Sequence, residues 1–156
     1  MIEIILTPTE VAIAHYIGEA RHKNKMKGKI KDRKYNKNFD SQEMDVIGFA
    51  AEMVVCKYLN AYPDFAIHNF AGGFDLVDRD YKTVDVKWTR TKHLLAPIHK
   101  KIGSCDYFVS VTGEMPKFKL MGKMKEEILL DEKNICNPYK FGDCYAVLLE
   151  ELEELE

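Results

Sequence analysis

The sequence predicts an α/β (α+β) domain in which N-terminal helices pack on a central mixed β-sheet of about 4–5 strands. Three observations predict it. Helix-start signals are confined to the first third of the 156 residues, at Thr7-Pro8-Thr9-Glu10 and Asp40-Ser41-Gln42-Glu43. Short apolar or alternating runs separated by turn residues fill residues 65–125. Neither an internal repeat nor a linker divides the chain, so residues 1–156 read as one domain.

The elements follow in order. A first helix is expected from about Pro8 to the start of a basic run near Arg21. A second runs from Ser41 to about Leu59; it contains GFAAEMVVC, apolar nearly all round and therefore buried. Asn60-Ala61-Tyr62-Pro63-Asp64 ends it. Strands are expected at residues 65–70, 74–77 and 83–88, with Gly72-Gly73 and residues 78–82 as turns. Residues 90–103 read as irregular or helical, residues 106–112 as a buried strand, and residues 117–125 as a partly exposed one. Residues 131–143 read as loop, and residues 145–149 as a last strand.

Charge is unevenly spread. The net charge is −2, yet from Arg21 to Lys37 nine Lys/Arg face the single Asp32, and the tail 150–156 holds five Glu. The basic arm reads either as a solvated loop or as a grip on a polyanion, since clustered cations gain by releasing its counterions. The acidic tail reads as a solvated helix end. No apolar run is long enough to span a bilayer, so no membrane partner is expected. Cys56, Cys105, Cys136 and Cys144 form no CxxC pair and are well spread along the sequence. That speaks against structural zinc and fits a reducing cytoplasm.

The chemistry concentrates around TVDVKWT. Thr83, Asp85, Lys87 and Thr89 share one face of the expected strand, and Val84, Val86 and Trp88 the other. The spacing D-x-K is uninformative by itself: it occurs four times, at 32–34, 80–82, 85–87 and 131–133. Chance predicts roughly three matches to [DE]-x-K at this composition. Only the copy at 85–87 lies inside an alternating apolar run. If residues 78–82 form the turn, Val77 pairs with Thr83 and Asp75 faces Asp85. Two like charges across a hairpin call for a cation between them, and a divalent metal suits two hard carboxylates. Glu52 interrupts the apolar helix, with Gly48, Phe49, Val55 and Cys56 as its helical neighbours. Lacking a local cation, it implies a partner from elsewhere in the fold.

Through Gly48-Phe49-Ala50-Ala51-Glu52, Gly73-Phe74-Asp75-Leu76-Val77 and Val84-Asp85-Val86-Lys87, the chain resembles the PD-(D/E)XK nuclease superfamily. That family has the restriction-endonuclease-like fold. The likeness covers about residues 44–125, including the strand pair at 107–111 and 118–122, and its tone is that of small phage-encoded members and Holliday-junction resolvases. Phe74 stands where the family has Pro, and Asp85 where Glu is commoner. The resemblance implies a metal-dependent DNA nuclease of a bacterial or phage-infected cell. Asp75, Asp85 and the Val86 carbonyl would bind Mg²⁺ or Mn²⁺. Glu52 would be a further ligand or would orient water, and Lys87 would position or deprotonate the attacking water.

DNA is then the expected partner, and a junction resolvase would act as a homodimer. The DNA-contacting candidates are Arg21, Lys23, Lys25, Lys27, Lys29, Lys31, Arg33 and Lys34 in the arm, with Thr89, Arg90 and Lys92 after the site; Lys100 and Lys101 follow close behind. A nuclease-like fold that binds DNA or protein without catalysis is the alternative reading, and a self-associating interaction protein the third. His15, His22, His68, His93 and His99 have no paired-ligand spacing and read as surface or core.

Overall fold

The computed structural model describes residues 1–28, 40–67 and 73–156. In chain order they form β1 (Ile2–Ile5), α1 (Pro8–Lys27), α2 (Ser41–Leu59), β2 (Leu76–Val77), β3 (Thr83–Trp88), β4 (His93–Pro97), β5 (Tyr107–Glu114), β6 (Lys117–Lys125), α3 (Glu126–Leu129), β7 (Ile135–Cys136) and β8 (Cys144–Leu148). The architecture is mixed α/β. A five-stranded sheet has the order β1-β6-β5-β3-β2, and a three-stranded sheet the order β4-β8-β7. Among the described residues only β3 and β5 pair in parallel; the other pairs are antiparallel.

Both long helices begin where the cap residues dictate. The Thr7 hydroxyl accepts from the Glu10 amide at 3.2 Å while the Glu10 carboxylate accepts from the Thr7 amide at 2.6 Å. Asp40 accepts from the amides of Gln42 and Glu43, and Asn60 closes α2 in the left-handed conformation. The first helix does not stop at Arg21 as expected; it continues to Lys27. The reason is the neighbouring helix: His22 and Lys25 reach Asp45 at 2.8 and 2.9 Å, so this basic turn is pinned to α2 rather than solvated. The helices cross tightly at Gly18, where a β-carbon would fall 2.4 Å from the Val46 Cα.

Alternation sorts the five-stranded sheet into two faces. Val84, Val86, Val109, Val111, Phe118 and Leu120 join Phe49, Val54 and Val55 of α2 in the main core. On the other face Phe108 and Met124 pack with Leu94, Ala96, Leu129 and Val147, beneath the three-stranded sheet. So the Asp85 face of β3 is covered, and Asp85 is only 3% exposed.

Several expectations are corrected. Residues 65–67 are not a strand, and 68–70 lie outside the described residues. Residues 93–97, expected as irregular or helical, form β4 because β8 lies alongside with His93 opposite Leu148. The 131–143 loop contains a 3-10 turn at Glu132–Asn134 and the two residues of β7. The tail is not a solvated helix end. After a 3-10 turn at Leu149–Glu151, Glu153 exchanges two backbone hydrogen bonds with Lys123, at 2.8 and 2.9 Å. The register also brings Cys136 opposite Cys144 across the seven residues between them in sequence; all four thiols are free.

Candidate active site

The hairpin has the expected register, with Val77 opposite Thr83 and Leu76 opposite Val84. Asp78 shapes its turn by accepting from the amides of Asp80 and Lys82, each at 2.9 Å. The Asp75 amide donates to the Val84 carbonyl at 2.8 Å, extending the ladder past the end of β2. Its side chain then does what a further strand residue would do. The Asp75 carboxylate accepts from the Val86 amide at 2.7 Å.

Asp85 is met by two ammonium groups. Lys87, from its own strand, contacts Oδ1, and Lys100 contacts Oδ2 from the turn after β4. Lys100 also donates to the Gly73 carbonyl at 2.8 Å, tying the start of the hairpin to that turn. Lys87 thus meets Oδ1 as an ion pair, while Lys100 hydrogen-bonds Oδ2. Both lysines stand over the Phe108 ring, at 5.9 and 5.8 Å from its centre.

Glu52 comes to the same edge from α2. Its partner is Arg21, at 3.2 Å, which also donates to the carbonyls of Asp64 and Ala66 and lies over the Phe49 ring. Removal from water, then the nearby Asp75, push Glu52 up to about 8 against the pull of Arg21. Asp75 is pushed up to about 6 by burial and then by Asp85, with Lys87, the Val86 amide and Lys100 opposing. Burial works against the charge of Lys87, but Asp85 and Asp75 outweigh it, so its proton is held above the usual lysine value.

The four central residues are therefore electrostatically joined: Glu52 to Asp75, Asp75 to Asp85, and both aspartates to Lys87. The two aspartates have the hard-oxygen chemistry that Mg²⁺ or Mn²⁺ takes, although both oxygens of Asp85 carry an ammonium group. Among the described residues, however, no three His, Cys, Asp or Glu side chains form a group able to hold a metal ion. Glu52 is engaged by Arg21 instead.

The remaining candidates divide. Arg21 is bound inward, Lys25 is paired with Asp45, and Lys23 and Lys27 are exposed on α1. Lys29, Lys31, Arg33 and Lys34 lie outside the described residues. Thr89 is buried and hydrogen-bonded to Thr91 at 2.9 Å. Arg90 is exposed, against Trp88 and 3.5 Å from Glu114, and Lys92 is exposed.

Sequence reasoning missed Lys100 as a partner of Asp85. Nothing local marks it, because the contact depends on where β4 turns. It also missed Glu126, which is 5% exposed and accepts from the amides of Gly103, Ser104 and Cys105. That loop backs the hairpin: a β-carbon on Gly73 would stand 3.0 Å from the Ser104 carbonyl oxygen. Comparison with protein-family models, curated proteins and solved structures returns no match to this chain.

Proposed function

We propose that this chain is a metal-dependent nuclease, with a restriction-endonuclease-like core, that hydrolyses phosphodiester bonds in DNA. One observation carries the reading. Asp75 and Asp85 are held side by side with Lys87 where β2 begins, and Glu52 is electrostatically joined to them from the buried helix. A structural ion pair needs one acid and one base; this edge gathers three acids and three cations, Arg21, Lys87 and Lys100, in a network that is costly to bury.

In this reading Asp75, Asp85 and the Val86 carbonyl would hold Mg²⁺ or Mn²⁺. Such an ion supplies a nucleophile near neutral pH and offsets phosphate charge. Lys87, whose proton the two aspartates hold, would stabilise negative charge on the phosphate. Glu52, fixed by Arg21, orients water at the strand edge. The exposed Lys23, Lys27 and Lys92 contribute phosphate attraction without sequence readout.

The test incubates plasmid, branched and single-stranded DNA with Mg²⁺ or Mn²⁺. Asp85→Ala and Lys87→Ala should each lose about a hundredfold or more in cleavage rate. Full cleavage by Asp85→Ala would sink the assignment. Cleavage confined to branched DNA, together with a homodimer on sedimentation, would narrow the activity to a junction resolvase.

A second reading, a nuclease-like fold that binds DNA or protein without cutting, is favoured by a specific feature. Both Asp85 oxygens are met by lysines, so the pair is neutralised without an ion. Calorimetry with Mg²⁺ separates the two, since a binding-only module has no need to take up the ion at Asp75 and Asp85.

A further inference from the structure

We propose that Cys136 and Cys144 form a dithiol site, which a low-molecular-weight disulfide such as glutathione disulfide oxidises to an intramolecular bond joining β7 to β8. The inference is independent of the nuclease reading and rests on a different part of the molecule.

Three observations support it. The first is register: Cys136 and Cys144 are direct partners across the antiparallel β7–β8 pair. Such partners have Cα atoms about 4.5–5.5 Å apart and side chains on one face, within the span of about 4.4–6.8 Å that disulfides bridge. Cys56 lies in α2 and Cys105 ahead of β5, so neither belongs to a strand pairing.

The second is access. β7 is the outer strand of its sheet and Cys136 is exposed, whereas Cys144 is 4% exposed. Val147 packs into the core beneath the sheet, so alternation turns Cys144 to the opposite face. One thiol is thus open to a small oxidant, and the other waits directly behind it.

The third is the connecting loop. Only residues 137–143 separate the two cysteines, and their ends already meet: Asn137 Oδ1 accepts from the Gly142 amide at 3.2 Å. Tyr139 of the same loop lies against β4, its hydroxyl 2.5 Å from His93 Nδ1. A bond between the cysteines therefore closes a ring whose shape is already set.

The exchange balances. The Cys136 thiolate attacks one sulfur of glutathione disulfide; one glutathione leaves, and the other stays on Cys136 as a mixed disulfide. The Cys144 thiolate then attacks the Cys136 sulfur and expels the second glutathione. The two protons that the cysteines lose are gained by the two glutathione thiolates, so two thiols are oxidised and one disulfide is reduced. Burial, then the neighbouring Cys136, push the Cys144 thiol up, which suits it to the second step, where proximity offsets a small thiolate fraction. Cys56 and Cys105, buried and pushed up to about 12, stay out of the exchange. Two thiols alone do not complete a soft-metal site, and among the described residues no third His, Cys, Asp or Glu joins them.

The experiment incubates the folded protein with glutathione disulfide, then alkylates the remaining thiols in denaturant before tryptic mass spectrometry. Wild type should fall from four alkylated cysteines to two, with peptides 134–140 and 141–156 joined through Cys136 and Cys144. Dithiothreitol should restore all four. The joined form should melt about 5 °C higher, because the bond restricts the unfolded chain. Cys144→Ala should stop at the mixed disulfide on Cys136, and Cys136→Ser should keep Cys144 reduced. Wild type that stays fully alkylatable, or that stops at the mixed disulfide, would overturn the inference. So would dimers linked through Cys136, or a joined form that melts below the reduced protein, since the register would then not accommodate the bond.

Discussion

Glu52 and Asp75 keep their protons to higher pH than ordinary carboxyls, and that has a definite sign for stability. Unfolded, they titrate near their usual 4.5 and 3.8; folded, near about 8 and about 6. Between those limits the folded state holds protons that the unfolded state has lost, so stability must fall as pH rises. The upper part of the fall, from about pH 6 to 8, belongs to Glu52. Urea midpoints at pH 5, 6.5 and 8 should decline in wild type, and Glu52→Gln should flatten the second interval. Midpoints that rise across this range would show that burial does not dominate these acids. Ser110 is a simpler case. It is fully buried opposite Lys87, and its hydroxyl has no hydrogen-bond partner among the described residues. Removing an unsatisfied polar atom costs nothing in lost bonds. Ser110→Ala should leave stability unchanged or raise it by up to about 1 kcal/mol in urea melts, whereas an ordinary buried serine would lose stability.

At the scale of elements, the caps and the alternation were legible in the sequence because their causes are local. Thr7 and Asp40 bind amides within three residues, and Val84 and Val86 alternate with Asp85 and Lys87 on a single strand. What could not be read depends on a distant neighbour. Strand β4 exists because β8 pairs with it some fifty residues later, and the last turns of α1 because α2 supplies Asp45 and Glu52. The same distinction governs the site. Asp75 opposite Asp85 followed from turn length, and Glu52 needing a non-local partner followed from its apolar helix; that the partner is Arg21 did not. A residue counted among the phosphate-attracting cations is thus bound inward between the helices and the chain at 64–66. Arg21→Ala should cost about 1–3 kcal/mol, because it leaves the Glu52 carboxyl without its hydrogen-bond donor. Lys23→Ala, two residues away in sequence but exposed, should stay within about 0.5 kcal/mol. Equal losses for the two, measured by urea denaturation, would return Arg21 to the surface.

For the whole molecule, the two sheets explain why a polar strand face became an interior. The connection from β3 to its parallel neighbour β5 passes through β4, which joins β8 and roofs the Asp85 face. The second sheet thereby covers Asp85, which is 3% exposed. The chain's last residues belong to this closure. Glu153 pairs with Lys123 through two backbone bonds, the Tyr58 hydroxyl donates to the Leu155 carbonyl at 3.1 Å, and Leu152 and Leu155 pack against the two cores. By charge alone this tail looked dispensable, but its hold is backbone and leucine, not carboxylate. Deleting residues 152–156 should therefore cost about 2–4 kcal/mol, from lost bonds and re-exposed apolar surface. Replacing Glu150, Glu151 and Glu154 with Gln should cost less than about 0.5 kcal/mol, since these are exposed. Urea melts of both variants decide the matter: a tail that matters through its charge would reverse the two results.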